Sequence, residues 1–425
     1  MLRTVGSPRR MPQPVRLLVW SAACAQDEAA LRVSLRRWIK ARGEAGFAGV
    51  ADAWGAAAPG PARGALVAAD PQEALAALDA QGPGVFVGEV GQPRPVAMLL
   101  PGQGAQHPRM ALGLYGHEQV FTEAVDEVFA LLGPAGDRVR DDWLAENPRL
   151  PIDHVERALP LIFALDLALG RLLSSWGIRP GLLLGQGIGE HAAATLAGVL
   201  SLPAAVEVIG AQAERLAQAP AGGMVAVAAG ADQVAPHLPP DVAVAAVNSP
   251  NQTVISGTRQ GLARAAEALR AAQLSCMPVR ASVAYHSPVV AAACAEAARA
   301  FERVALLPPA IPVLSASTAA LMAPGEAVDP GFWARQPTRP VQLRATFDTL
   351  FASGGHLCLE AGPGQGLYSL IRRHPAFLKG PSQAVAMLSA RPRNAAHDRR
   401  SVLAAAARLW TAGQDLDLDA IHRLG

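Results

Sequence analysis

Apolar residues fall along this chain in two rhythms. Short unbroken blocks, VRLLVWSA (15–22), GALVAAD (64–70), VAMLL (96–100) and GLLLG (181–185), have the length and content of buried strands. Between them, apolar residues return at the helical period over DEAALRVSLRRWIKARG (27–43), PQEALAALDA (71–80), residues 115–132 and 155–176, from about 188, and over 399–412. The punctuation agrees. Asp27 and Glu28 open the first helix and basic residues close it, as the helix dipole favours, and Asp70 stands as an N-cap before Pro71. Strands alternating with helices predict an α/β architecture.

After a boundary at Pro220 to Met224 the rhythm shortens. MVAVAAG, a helix near 231–237, VAVAAVNSP, TVISG, a helix over 258–273 and SCMPVRAS run β-α-β-β-α-β, the ferredoxin-like order. VAYHSPVV (283–290) then returns the chain to a larger domain with a helix behind it, and IPVLSAS and GHLCLEAGPG read as further strands. Residues 1–14 are polar and proline-rich and read as a flexible leader.

Composition narrows the function only a little. The chain has 425 residues with 51% hydrophobic content, enough for a sizeable core and more than one domain. A net charge of +2 gives no basic excess for a nucleic-acid partner and no acidic excess for disorder. Among 37 basic residues only Lys40 and Lys379 are lysines, which we read as genome composition. Cys24, Cys276, Cys294 and Cys358 are scattered, with no C-x-x-C or Cys/His cluster, so no metal is expected and a reducing, cytoplasmic setting is the simplest reading. Arg3, Arg9 and Arg10 ahead of VRLLVWSAACA look superficially like an export signal ending at Cys24, but the apolar run is short and Arg16 abuts it. No stretch reaches the roughly 20 apolar residues needed to span a bilayer. Even LPLIFALDLALGRLL carries Asp166 and Arg171, and no membrane partner is expected.

Candidate chemistry centres on LLLGQGIGEHAAATLAGVL (182–200), a buried strand, a glycine turn and an amphipathic helix. In the pattern G-x-S-x-G such a turn carries a serine nucleophile and aims the next backbone N–H at a developing oxyanion. Here the turn reads Gly185-Gln186-Gly187-Ile188-Gly189, with glycine at the centre. A glycine-rich phosphate loop competes, since GQGIGE is close to G-x-G-x-x-G and PGQGAQ (101–106) also follows a strand. No acidic residue follows a second strand at the dinucleotide spacing, which weighs against a nucleotide.

Several ordered segments resemble the acyltransferase domains of modular polyketide synthases and, more distantly, malonyl-CoA:acyl carrier protein transacylases. They are VAMLLPGQGAQHPRMALGLY, LPLIFALDLALGRLLSSWGIRPGLLLGQGIGEHAAA, AGGMVAVA with VNSPNQTVISG, VAYHSPVV, FWARQPTRPVQL and LEAGPGQGL. The resemblance implies an α/β-hydrolase-like core over 95–221 and 282–390 and a ferredoxin-like subdomain over 222–281. It also implies a small α/β linker domain over 15–94 and a C-terminal wrapping segment over 391–425. The implied reaction is ping-pong acyl transfer, with a serine taking the acyl group from CoA and a phosphopantetheine thiol of acyl carrier protein receiving it. The implied ligand is thus a phosphopantetheine thioester, with no permanently bound cofactor, and the implied partners are acyl carrier protein and polyketide synthase components.

Carried over residue by residue, the resemblance makes His286 the base and puts Gln336 where a backbone carbonyl orients the imidazole. The N–H groups of Gln103 and Ile188 fall at the oxyanion-hole positions, and Glu190 follows the turn as in the family. Other positions depart. Gly187 occupies the nucleophile position, Gln186 replaces a histidine beside it, and Leu159 replaces an active-site glutamine. Ala213 falls where the family has a carboxylate-binding arginine, leaving Arg215 as the nearby cation. Ser174, Ser175 and Ser201 lie a helix or strand length away, Ser287 reads as a backbone brace, and His191 as a structural residue of the following helix. Arg391, Arg393, Arg399 and Arg400 read as a solvated stretch or as a contact for an acidic partner.

Three readings follow. The chain is a pseudo-acyltransferase that binds a carrier protein without covalent loading; or an enzyme in which His286 promotes direct acyl transfer to an acceptor, or hydrolysis of a carrier-bound thioester; or an ordinary transacylase carrying an engineered Ser-to-Gly change.

Overall fold

The computed structural model describes residues 15–54, 59–80, 82, 84–390 and 395–422, so the leader at 1–14, Arg391 and Arg393 lie outside the described residues. The chain divides into two units, residues 1–93 with 402–425, and residues 94–401.

In the first unit, β1 (Arg16–Ala22), α1 (Ala25–Trp54), β2 (Ala62–Ala68), α2 (Pro71–Ala80) and β3 (Val85–Glu89) follow in order. The strands form an antiparallel sheet, β1-β2-β3. Asp70 caps α2 as expected, accepting from the Glu73 N–H at 2.8 Å, while the Glu73 carboxylate accepts from the Ala69 N–H at 2.8 Å. Two features were not foreseen. Helix α1 continues past Gly43, which takes a positive φ of 55° and joins two helical stretches across a kink. Strand β3 contains a glycine and the half-exposed Val87, so it lacks the dense apolar block of a buried strand. Trp20, Leu18, Leu35, Ile39, Leu66 and Leu78 fill the core between sheet and helices.

The second unit opens with β4 (Val96–Leu100), α3 (Gln119–Leu132), α4 (Pro134–Leu144), α5 (Val155–Ser175), β5 (Pro180–Gly185), α6 (Ile188–Leu196) and α7 (Leu202–Ala217). A small subdomain follows: β6 (Gly222–Val227), α8 (Ala231–Val234), β7 (Val242–Ser249), β8 (Gln252–Thr258), α9 (Arg259–Ala271) and β9 (Cys276–Val279). The chain returns through α10 (Ala291–Arg303), β10 (Val313–Ser315), β11 (Ala320–Leu321), α11 (Pro324–Ala327), α12 (Pro330–Ala334) and α13 (Leu343–Ala352). It closes with β12 (Leu357–Glu360), α14 (Gly366–Ile371), α15 (Pro375–Lys379) and β13 (Gln383–Ala386).

The main sheet has six strands in the order β11-β10-β5-β4-β12-β13, parallel except for β11. The small sheet is antiparallel in the order β7-β8-β6-β9, the ferredoxin-like arrangement, with Val227, Val234, Ile255, Leu262 and Leu269 packed beneath it. The fold is thus α/β-hydrolase-like with a ferredoxin-like insert. By length and composition α5 is apolar enough to cross a bilayer, contrary to the expectation from sequence, but 83% of its apolar window is buried inside the protein. Helix α4 escaped notice because most of PAGDRVRDDWL is polar; it buries Val139 and Trp143. Arg399, expected in a solvated stretch, is turned inward with its guanidinium 3.3 Å from Glu118.

Arg63 of β2 is buried in the first unit. Its guanidinium lies 4.4 Å from the centre of the Trp410 ring and donates to the Gln414 carbonyl at 2.9 Å and to the Asp415 carboxylate at 2.8 Å. The Trp410 indole N–H donates to the Trp20 carbonyl at 3.2 Å. Replacing Arg63 with alanine removes these hydrogen bonds, two longer ones to the Gly60 and Trp410 carbonyls, and the stack, so urea unfolding should show a loss of about 2–3 kcal/mol. Lysine should recover only a minor part, because the planar fork is lost.

Candidate active site

The turn between β5 and α6 is forced by close packing. Gly189 sits against the carbonyl of Leu100 at the end of β4, where any Cβ would collide with that oxygen. The Gln186 N–H donates to the same carbonyl at 3.0 Å, and the Glu190 N–H donates to the Gly187 carbonyl at 3.0 Å. Between these bonds Gly187 takes φ 55° and ψ −122°, a conformation that glycine adopts without strain. An ideal Cβ on Gly187 would lie 2.9 Å from Gln103 Oε1 and 3.7 Å from His286 Nε2.

His286 comes from the segment that leaves β9. It is a non-glycine residue at φ 59°, and its N–H donates to the Pro337 carbonyl at 2.6 Å. Nδ1 lies 2.8 Å from the Arg339 carbonyl; since a carbonyl only accepts, Nδ1 carries the proton and the Nε2 lone pair faces Gly187. Burial pushes the imidazole down to about 4, so the ring is neutral near pH 7. The orienting carbonyl is therefore chiefly that of Arg339, with Gln336 second, and this corrects the expectation for Gln336. The Gln336 side chain instead donates from Nε2 to the Gly187 carbonyl at 3.1 Å, locking the turn. Glu190, fully buried, accepts from Ser315 Oγ at 2.9 Å and Ser317 Oγ at 2.7 Å, and burial pushes its carboxyl up to about 7. Among the described residues no backbone carbonyl accepts from the Gln103 or Ile188 N–H, and both residues border the space beside Gly187.

That space has two parts. A cleft of about 810 Å³ runs between the core and the small subdomain, lined by Gln103, Gln186, Gly187, His286, Asn248 and Arg280 among others. An inner chamber of about 10 Å³ is walled by Leu159, Ile188, Leu216 and Pro337, with Gln212 and His191 also facing it. Leu159 lines the chamber and Gln186 the cleft.

Arg215 lines neither. It lies on the far side of α7, 3.5 Å from Glu296 and 3.9 Å from Glu214, and lines a separate surface groove. The α7 residues that line the chamber are Gln212 and Leu216, one helical turn apart, and Ala213 is not among them. Tyr285, which lines both spaces, was also missed. Only the phase of α7 could have revealed Gln212, and an apolar helix with alanines on several faces leaves that phase undetermined. The candidate stand-in serines are engaged elsewhere: Ser174 and Ser175 donate to carbonyls of their own helix, Ser201 caps α7, and Ser287 donates to the Ala284 carbonyl.

This architecture is that of an acyltransferase domain of the polyketide-synthase kind. The chain belongs to the acyl transferase domain family, whose profile matches residues 98–405. A phenolphthiocerol/phthiocerol polyketide synthase of Mycobacterium tuberculosis is 34% identical over 325 residues, 76% of this chain and 22% of that protein. The chain therefore spans about a fifth of that relative's length. Mycoketide-CoA synthase of the same organism is 33% identical over 365 residues, 84% of this chain and 9% of that protein. Among solved structures, the acyl transferase domain of SpnD in complex with 2-(pent-4-yn-1-yl)malonyl superposes with a TM-score of 0.84 at 29% identity, covering 96% of this chain and 98% of that one. The acyltransferase domain of the second module of the salinomycin polyketide synthase gives 0.76 at 30% identity, covering 95% and 96%.

His191 is buried as a neutral ring pushed down to about 4 by burial, against 6.5 when unfolded. Between those values the unfolded chain binds more protons than the folded one, so this group's contribution to stability falls as pH drops from 6.5. Glu190 and Glu360, pushed up to about 7 by burial, act in the opposite sense and oppose the histidines in the wild type. The single-ring effect shows in a difference. On going from pH 6.5 to 4.5, the stability of His191→Phe relative to wild type, read by urea unfolding, should rise by about 2 kcal/mol.

Proposed function

We propose that this chain is a polyketide-synthase acyltransferase domain whose nucleophile seat is empty, Gly187 standing where the family's serine would attack. It binds the phosphopantetheine thioester of CoA or of an acyl carrier protein in the cleft, does not store the acyl group as a serine ester, and serves as a carrier-protein-binding partner in polyketide assembly. One observation carries this reading: a Cβ on Gly187 would lie 3.7 Å from His286 Nε2, at the foot of an imidazole whose other nitrogen is held by a carbonyl. Glycine offers no atom there to attack a thioester.

A second reading is favoured by the orientation of the same ring. A water, amine, hydroxyl or thiol occupying the space above Gly187 can give its proton to His286 Nε2 as it attacks the thioester carbonyl. The oxyanion then forms toward the Gln103 and Ile188 N–H groups, and the imidazolium returns the proton to the departing thiolate. In either case the described residues lining the chamber offer no cation to a dicarboxylic acyl group.

Incubation with acetyl-CoA and malonyl-CoA should leave the intact mass of the protein unchanged; a stable acyl adduct on the wild-type chain overturns the proposal. Gly187→Ser should gain an acetyl adduct but little malonyl adduct. It should lose about 1–3 kcal/mol of stability, because serine takes the left-handed turn at a cost. Gln103 Oε1, the nearest atom, is the end of a flexible side chain and can give way. Any thioester turnover by the wild-type chain should vanish in His286→Ala; unchanged turnover rejects the second reading.

A further inference from the structure

The floor of the inner chamber holds polar groups that none of the described residues satisfies. Gln212 is 2% exposed and its Nε2 has no hydrogen-bond partner among them; His191 is 1% exposed and neither ring nitrogen has one. Both face the chamber beside Gly187 and His286. The His191 ring packs against Trp333, edge-on at 5.5 Å, and against Phe301 at 6.0 Å between ring centres. Burial keeps this ring neutral, so it presents one N–H and one lone pair, and Gln212 adds an amide donor. Buried polar atoms in native proteins are nearly always paired, so a set left open by the described residues inside a pocket is met there by an ordered water or by the polar group of a ligand that displaces it.

Resting on the proposed reading of the cleft as an acyl-thioester site, we infer that Gln212 and His191 select a short acyl group carrying a neutral hydroxyl close to the thioester, against both dicarboxylic and plain alkyl acyl groups. A hydroxyl both donates and accepts, which matches an amide N–H on one side and a neutral imidazole on the other. A carboxylate would enter a chamber with no cation among its described lining residues, because Arg215 is engaged with Glu296 and Glu214 across α7. An alkyl group would leave the donors unpaired, the situation in which polar sites discriminate most strongly against analogues lacking the polar atom. The size agrees. A chamber of about 10 Å³ is at the scale of one water molecule, so it admits a hydroxyl and not a long chain.

The test measures calorimetric binding of amide-linked analogues of lactyl-CoA, propionyl-CoA and malonyl-CoA, which are not turned over, to the full chain. Wild type should bind the lactyl analogue about tenfold more tightly than either of the others. Gln212→Leu should bring lactyl and propionyl within about twofold, and His191→Phe should narrow the gap. Both variants should melt at or above the wild-type temperature, since each removes an unpaired buried polar group and breaks no side-chain hydrogen bond of its own. Equal binding of lactyl and propionyl by wild type, tighter binding of malonyl, or a preference that persists in the double variant each overturns the selection argued here while leaving the cleft assignment standing. No binding of any analogue by the folded wild-type chain overturns the cleft assignment and this inference together.

Discussion

The site depends on how closely the first turn of α6 approaches the end of β4. That approach exists because Gly189 has no side chain to hold the Leu100 carbonyl off. Once the two backbones touch, the intervening turn has little freedom: the Gln186 and Glu190 N–H groups find fixed carbonyls, and Gly187 is left in a left-handed conformation at the apex. Glu190, one residue further, is carried into the core. Its carboxyl is satisfied by Ser315 and Ser317 at the end of β10, so the start of α6 is tied to a second strand of the same sheet. Gln336 closes the arrangement through the Gly187 carbonyl. A buried carboxyl is costly to keep, and this one is retained with three hydrogen bonds accepted from the β10 end.

The parts arranged around Gly187 do not all carry the same weight. Backbone N–H donors at Gln103 and Ile188 follow from the turn itself and would persist under almost any side-chain change, so they say little about chemistry. His286 is different. It is a bulky residue at φ 59°, a conformation with a cost of about 1–3 kcal/mol, and it is held there by bonds from its own N–H and from Nδ1 to two separate carbonyls. A purely structural residue at that place would be better served by glycine or asparagine. Backbone strain is thus retained at the imidazole while it is absent at the turn facing it, where glycine sits without penalty. That asymmetry favours keeping the second, His286-driven reading beside the pseudo-acyltransferase one.

Much of the architecture was legible because local signals and tertiary demands agreed. VAMLL and PQEALAALDA became β4 and α2 with the expected ends, and the β-α-β-β-α-β order folded into the expected small sheet. Where the sequence misled, one of the two levels was weak. Strands β3 and β13 are half-exposed and lack a dense apolar block; α4 is mostly polar and its large buried side chains are Val139 and Trp143. At the site, the glycine turn itself was readable because close backbone packing fixes it. Positions on α7 were not: one residue of helix is a rotation of about 100°, enough to exchange Gln212 for Ala213 and to place Arg215 on the opposite face. The orienting carbonyl could be placed only to within a few residues, at Gln336, since any residue supplies one and only the path of the loop after α12 decides that it is chiefly that of Arg339.

On the proposed reading, Leu159, Gly187 and Gln212 line one chamber and act there through different physics. Glycine offers no side-chain atom to hold an acyl group covalently, leucine presents an apolar wall, and glutamine offers a donor but no charge. Alone, any of these could be neutral drift in a pocket of relaxed demand. Drift toward disuse, however, would be expected to fill the space with apolar side chains, since an unpaired buried amide and imidazole lower stability and an apolar replacement would raise it. The chamber keeps both, along with an imidazole aimed at its mouth. A chamber that holds two buried polar side chains unpaired by the described residues, and no cation among its described lining, suits the neutral, hydrogen-bonding occupant inferred above.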